Sequence, residues 1–361
     1  MPSTTNIFGF YRYLIKISPL NCGNGPFRIV GVLGSLVSIA LLFFRIIYLF
    51  VNVSEKTLSL GWAEKNVSLF MAFESLACLI AVCRITAMRS VERVEEHINN
   101  LKMLRRTCYS EVHDNYQKTW TMILIYFAII LIGVGCNAGY LATESSYYFI
   151  IDPAVSFICV YTNCLFIAYN ILMHAAIDRE VIVFNEELME AANLKQLADH
   201  DVFSRFADRQ VQLHQMANTM ADRLGTMMHY APFTGSLALL NGTFITMTYS
   251  YLTPTIYFVF LIFYSISLTT ILSALLIPPA RIQDTLLKTS QILMSDGVLQ
   301  TSDHPKIYQI YRMMVDRSRY NRARMHFMHI FAINLVNVKR TLFTIAHLAV
   351  GLSILKAIVI H

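Results

Sequence analysis

Charge is scarce in this chain. Of 361 residues only 14% are Asp, Glu, Lys or Arg, while 55% are hydrophobic; soluble domains carry roughly a quarter charged residues. A chain so composed cannot cover a water-exposed surface. Glycine and proline are also few, at 14 and 9, which argues against a loop-rich, strand-rich or disordered protein. No repeat of the usual lengths and no low-complexity stretch is present. Chemistry-bearing patterns are missing as well. There is no phosphate-binding glycine loop and no nucleophile motif, and no ligand array converges on the eleven histidines. No catalytic residue, metal, cofactor or nucleic-acid partner is expected. What remains is an all-α polytopic membrane protein.

Mostly apolar runs of about 20 residues, the length a spanning helix needs, lie at 29–51, 67–87, 120–141, 153–176, 232–250, 255–277 and 338–360, giving seven transmembrane helices. The fifth is the most polar, with Asn241, Thr243, Thr246 and Thr248. Lys and Arg set the orientation. Segments 1–28, 84–118, 177–230 and 278–340 hold 25 of the 29 basic residues, whereas the opposite loops hold only Lys56 and Lys65. The basic side is read as cytoplasmic, with the N-terminus inside and the C-terminus outside. Residues 1–28 lack the apolar core of a signal peptide, so span 29–51 is expected to act as an uncleaved anchor. Asn52-Val53-Ser54 and Asn66-Val67-Ser68 have the form of glycosylation acceptors on the outer side. The seven cysteines avoid the predicted outer loops, so structural disulfides are not expected.

The chain thus divides into a cytoplasmic N-terminus (1–28), transmembrane helices one to four (29–176), an inner helical extension (177–230), helices five and six (231–277), a second inner segment (278–337) and the last span (338–361). Segment 177–230 reads as helix throughout. Its Phe203, Phe206, Gln210, Leu213, Ala217, Met220, Leu224 and Met227 alternate at spacings of three and four, a coiled-coil seam with two imperfect positions, Gln210 and Ala217. The second segment opens with a break at Pro278-Pro279 and continues as helix through Ile282, Leu286 and Leu293. It turns near Asp296-Gly297 and resumes with Ile307, Ile310 and Met314. Such helices either rest on the inner leaflet or form a cytoplasmic anchor bundle joining subunits. Their narrow stripes favour the bundle.

This architecture resembles the insect gustatory and odorant receptor superfamily. Phe331-Ala332-Ile333-Asn334 through Thr341-Leu342-Phe343-Thr344-Ile345-Ala346-His347 looks like that family's final cytoplasmic helix turning into its last span. The family normally continues with Thr-Tyr, a run of apolar residues, then Gln-Phe. Here the chain reads Val350-Gly351, Leu352-Ser353-Ile354-Leu355-Lys356 and Ala357-Ile358, so none of the signature residues matches. It looks most like the divergent gustatory receptor-like members. The resemblance implies a chemoreceptor-like subunit of a tetrameric ligand-gated cation channel in the plasma membrane, as in taste sensing. Four copies of the last span would line a pore, the inner helices would anchor the tetramer, and a small organic ligand would bind among helices two to six on the outer side.

On that resemblance the pore-facing residues are Thr341, Ile345, Leu348, Leu352 and Lys356, which share one helix face. A ring of Leu352 or Ile345 would gate by dewetting, although packing or lipid contact accounts for the same residues equally well. Lys356 in a pore would repel cations, while its long stem could instead snorkel to the outer headgroups. Glu74 lies mid-span, where an ionisable group is costly and points inward. It can meet a ligand, or pair with Asn163, Asn170 or His174, which share a face of span four, in a polar network joining helices. Tyr140, Tyr161, Tyr249 and Tyr251, with Asn241 and Thr248, are candidates for an outer pocket. Trp62, Tyr147 and Tyr148 read as an interfacial belt. His326 and His329 read as part of a basic helix, with Arg319, Arg322 and Arg324, that meets acidic headgroups or a neighbouring subunit.

Three other classes compete. A G-protein-coupled receptor would place the basic segments outside, and the Arg-centred triplet after span three and the Asn-Pro pair of span seven are missing. A secondary transporter would show internal repeats or broken midplane helices, yet Pro232, Pro254 and Pro278 fall at span ends. A non-conducting member of the same fold, acting by binding or assembly, is the remaining alternative.

Overall fold

A computed structural model describes residues 7–23, 28–51, 60–105, 116–143, 151–250, 252–300, 304–320, 326–327 and 331–360. The described elements are α1 (Gly9–Ile17), α2 (Arg28–Val51), α3 (Leu60–Ala87), α4 (Ser90–Met103), α5 (Gln117–Thr143), α6 (Ile151–Asn193), α7 (His200–Tyr249), α8 (Thr255–Ser295), α9 (Gly297–Gln300), α10 (Pro305–Tyr320), the strands β1 (His326–Phe327) and β2 (Phe331–Ala332), and α11 (Leu335–Ile360). The protein is an all-helical, multi-pass membrane protein. Among the described residues, six helices are long and apolar enough to cross a bilayer: α2, α3, α5, α6, α8 and α11. The span read at 232–250 lies in the C-terminal part of α7, which is not among the six; its Asn and Thr residues keep that stretch polar.

Helix α6 is the centre of the molecule and α11 its edge. The most apolar stretch of α6 is 78% buried, against 6% for α11. Helix α6 packs on α3, α5 and α8, and α7 packs on α3, α8 and α11. A line of side chains fastens α6 to α8. Asn170 donates its amide to the Ala274 carbonyl (3.0 Å) and Asn185 to the Thr285 carbonyl (2.9 Å). The Thr285 hydroxyl donates to Asp178 (2.8 Å) and the Thr289 hydroxyl to Asn185 (2.6 Å).

The break expected at Pro278-Pro279 does not occur. Helix α8 runs unbroken from Thr255 to Ser295 with both prolines inside it, and Pro232 likewise lies inside α7. A proline removes the N–H that would bond the carbonyl four residues back. At Pro278 that carbonyl is Ala274, the one Asn170 reaches. A neighbouring helix thus supplies the missing donor, the usual way membrane helices tolerate proline.

Segment 177–230 is interrupted rather than continuous. Helix α6 ends at Asn193, Lys195 adopts a left-handed conformation (φ 56°), and α7 starts under Asp199, whose side chain accepts from the Asp201 N–H at 2.9 Å. That N-cap is strong local chemistry. The seam also has a nearer partner than another subunit. Phe203, Phe206, Gln210, Leu213 and Ala217 are buried within the chain, and Phe206 meets Phe184 of α6 edge-on at 5.9 Å. Gln210, read as an imperfection, donates to the Met314 carbonyl (3.0 Å) and the Ser318 hydroxyl (2.8 Å) and accepts from Arg317 (2.9 Å). Side chains of Met220, Leu224 and Met227 lie outside the described residues.

Three further departures are local. Segment 84–118 contains α4, whose Val91, Val94, Ile98 and Leu101 form a buried stripe. In the N-terminal segment α1 tucks against α6: Tyr11 donates its hydroxyl to the Leu165 carbonyl (3.0 Å), and Phe8 stacks on Tyr169 at 5.8 Å. The helix expected around His326 is instead a two-stranded antiparallel pair, with His326 opposite Ala332; His329 lies outside the described residues. Asn66 is half-buried in α3 with its amide bonded to the Trp62 carbonyl (2.8 Å), and Asn52 lies outside the described residues.

Toward the C-terminal end of α6, Glu187 pairs with Arg209 of α7, and both side chains are about 95% enclosed, at 5% and 4% exposure. Removing one partner of a buried pair strands the other and costs about 3–5 kcal/mol, whereas replacing both with apolar groups is often near neutral. Arg209→Met alone is therefore expected to lower the thermal unfolding midpoint in detergent more than the double change Arg209→Met with Glu187→Leu. A larger loss in the double variant would show that the pair is not acting as a desolvated unit.

Candidate functional site

Helices α3, α5, α6 and α8 enclose a cavity of about 50 Å³. Its polar wall comes from Glu74 and Ser75 of α3, Asn163 of α6, and Tyr264 and Ser267 of α8, closed by Gly133 of α5. Met71, Glu74, Ser75 and Cys78 recur at helical spacing on the inward face of α3, which aims the carboxylate at α6 and α8. Glu74 Oε1, Asn163 Oδ1 and Tyr264 Oη are buried without a hydrogen-bond partner among the described residues. Each such orphan costs about 1–3 kcal/mol. A space of this size holds water, and ordered water is the ordinary means of satisfying such groups.

Small residues let α7 close the site. A Cβ at Gly235 would stand 3.1 Å from Leu272 Cδ2 and 3.5 Å from Glu74 Oε1. One at Gly242 would stand 3.2 Å from the Tyr264 ring. Aromatic rings lead away from the cavity. Tyr264 neighbours Phe260 (5.6 Å), Phe260 neighbours Tyr257 (5.4 Å), and Tyr257 meets Tyr140 of α5 (4.5 Å), whose hydroxyl donates to Glu64 at 3.0 Å.

The sequence candidates separate into those that meet here and those that do not. Glu74 and Asn163 share the cavity, and Tyr140 stands at the end of the ring series. Asn170 mends α8, and its backbone carbonyl accepts from His174 Nδ1 (2.7 Å). His174 lines a second, larger cavity among α5, α6 and α8. Tyr161 stacks on Phe157 within α6 (6.2 Å). Thr248 lies within 3.4 Å of the Ser353 hydroxyl of α11, and Asn241 Nδ2 is buried with no partner among the described residues. Tyr251 lies outside the described residues. Tyr257, Phe260 and Tyr264 were not picked out in sequence, although their spacing of three and four places them on one helix face.

On α11 the pore-facing candidates diverge. Ile345 is buried within the chain's own core, Thr341 donates its hydroxyl to the Asn337 carbonyl (2.9 Å), and Leu348 and Leu352 are exposed. Lys356 places its ammonium over the Tyr249 ring, 3.5 Å from the centroid. Such a contact is worth about 0.5–2 kcal/mol.

A sequence family described as "Caenorhabditis protein of unknown function, DUF267" matches residues 7–349. The chain belongs to the DUF267 family. No curated protein matches the sequence. Among solved structures, this DUF267 chain is similar to the olfactory receptor OR5 of the insect Machilis hrabei, with a TM-score of 0.73 at 10% identity over 97% of this chain and 98% of the receptor chain. The same receptor in complex with eugenol matches at 0.69, again at 10% identity and the same coverage. The DUF267 chain therefore has the fold of that olfactory receptor. Those neighbours are receptors, not enzymes.

Because the buried Tyr264 hydroxyl has no partner among the described residues, Tyr264→Phe removes an orphan and is expected to raise thermal stability, by up to about 1–3 kcal/mol. Gly235→Leu must push α7 away from Leu272 and Glu74, and overpacking of this kind costs about 1–3 kcal/mol. Unfolding curves in detergent check both. A large loss in Tyr264→Phe would mean that a water network holds that hydroxyl firmly.

Proposed function

We propose that this chain is a chemoreceptor-like subunit of a tetrameric, ligand-gated cation channel in the plasma membrane, with seven spans, the N-terminus inside and the C-terminus outside. The observation that carries the reading is α11. It is apolar along its length yet only 6% buried in its most apolar stretch, so most of its surface is left for lipid or for copies of itself. That edge helix belongs to a chain sharing the fold of an olfactory receptor over nearly its whole length.

In the tetramer Leu348 and Leu352 supply the hydrophobic constriction, since Ile345 is committed to its own subunit. The Glu74 cavity and its aromatic series form the ligand site. The eugenol complex of OR5 supports a small organic ligand for this fold. At about 50 Å³ the cavity is far below the roughly 300–1,000 Å³ of a drug-sized site. Binding therefore requires Phe260 and Tyr264 to swing aside.

Detergent-purified protein is expected to run as a tetramer, and Leu352→Ala to raise resting whole-cell current in transfected cells. Monomers only, under conditions that keep related channels assembled, would defeat the tetramer. Surface expression without current in wild type, Leu348→Ala and Leu352→Ala would favour a non-conducting member of the fold.

A further inference from the structure

The second cavity has about ten times the volume of the first, at about 550 Å³, and its chemistry is different. It lies among the N-terminal end of α5, the middle of α6 and the region of α8 around Pro278. Lys118, Arg179 and Arg281 line it, with Asp178 as the acidic member. Lys118 immediately precedes the span read at 120–141, Arg179 follows the one ending at 176, and Arg281 follows the one ending at 277. All three cations therefore sit within about one helical turn of a span boundary on the basic side of the protein. Above them the wall is apolar, with Met122, Ile171 and Ile277.

His174, a residue of this wall, also carries a polar atom unpartnered among the described residues. The Asn170 carbonyl can only accept, so His174 donates from Nδ1 (2.7 Å), leaving Nε2 as the ring's free nitrogen. That Nε2 is buried without a hydrogen-bond partner among the described residues, on a side chain with no solvent exposure. In the neutral ring it is an acceptor, suited to a hydroxyl. Asp178 is held by Thr285 and lies within electrostatic reach of Arg281 and Lys288, which tempers its repulsion of an anion.

We infer that this cavity binds the phosphate-bearing headgroup of an acidic, hydroxyl-rich phospholipid of the inner leaflet. The three cations hold the phosphate, His174 Nε2 accepts from a headgroup hydroxyl, and the acyl chains leave along the apolar wall of α5. The site is separate from the Glu74 cavity, and its occupation does not depend on whether the protein conducts.

The test is binding of short-chain lipids to the full-length protein in detergent, read by thermophoresis. The probes are dioctanoyl phosphatidylinositol phosphate, dioctanoyl phosphatidylcholine and inorganic phosphate. The first is expected to bind at least about tenfold more tightly than either of the others. Near a membrane surface each cation contributes about 1 kcal/mol, which corresponds to about fivefold in affinity. The double variant Lys118→Gln with Arg281→Gln, both at exposed positions, should therefore weaken it about 25-fold, while Lys306→Gln on α10 leaves it unchanged. Ala175→Leu, which fills the cavity and keeps every charge, should weaken it as well. Equal binding of phosphatidylcholine would leave a site for acyl chains only, and equal binding of inorganic phosphate a site for a soluble anion; either overturns the inference. So does an equal loss in Lys306→Gln, or unchanged binding in Ala175→Leu.

Discussion

In hydrocarbon a backbone carbonyl that loses its own helix partner must find another, and the bond from Asn170 to Ala274 meets that demand at the centre of this protein. Helix α8 carries two adjacent prolines where a soluble helix would stop. It continues because α6 stands beside it with an amide at the right height. The same two helices then stay in register further along through Asp178, Asn185, Thr285 and Thr289. Once α6 and α8 are fastened, α3, α5 and α7 have two fixed walls to pack against. Both cavities lie between those walls, where a few polar side chains interrupt an apolar lining.

The two cavities are opposite in character. Around Glu74 the protein encloses a carboxylate, an amide and a phenol in little space, with orphan acceptors that water can satisfy. Around His174 it opens a roomier recess that carries three cations and one carboxylate. A buried carboxylate selects what is small and able to donate hydrogen bonds. A cationic recess at a span end selects what is anionic and amphiphilic.

Much of this was legible in sequence because the solvent imposes it. Six of the apolar runs appear among the candidate membrane helices, and Glu74 is buried, as an ionisable group within a span must be, with Asn163 on the wall of the same cavity but not bonded to it. What escaped depends on contacts between segments distant in the chain. Pro278-Pro279 reads locally as a helix end, and only a neighbour more than 100 residues away overrides it. Gln210 reads as a flaw in a seam until Met314, Arg317 and Ser318 of α10 supply its partners. Asp199 was a local signal that sequence reasoning passed over, since the apolar spacing resumes just after the cap.

The mending of α8 also has a mechanical consequence. At 1.5 Å per residue its 41 residues form a rod about 60 Å long, reaching from the aromatic rings near Tyr257 to the helices packed around its C-terminal half. Such a rod is stiff wherever its own ladder is intact and compliant where rungs are absent. Pro278 and Pro279 remove adjacent rungs, and one of the vacated positions is closed by a side chain of a different helix. Bending there breaks a bond between two rods instead of one within a rod, so α8 can flex at that level without unwinding.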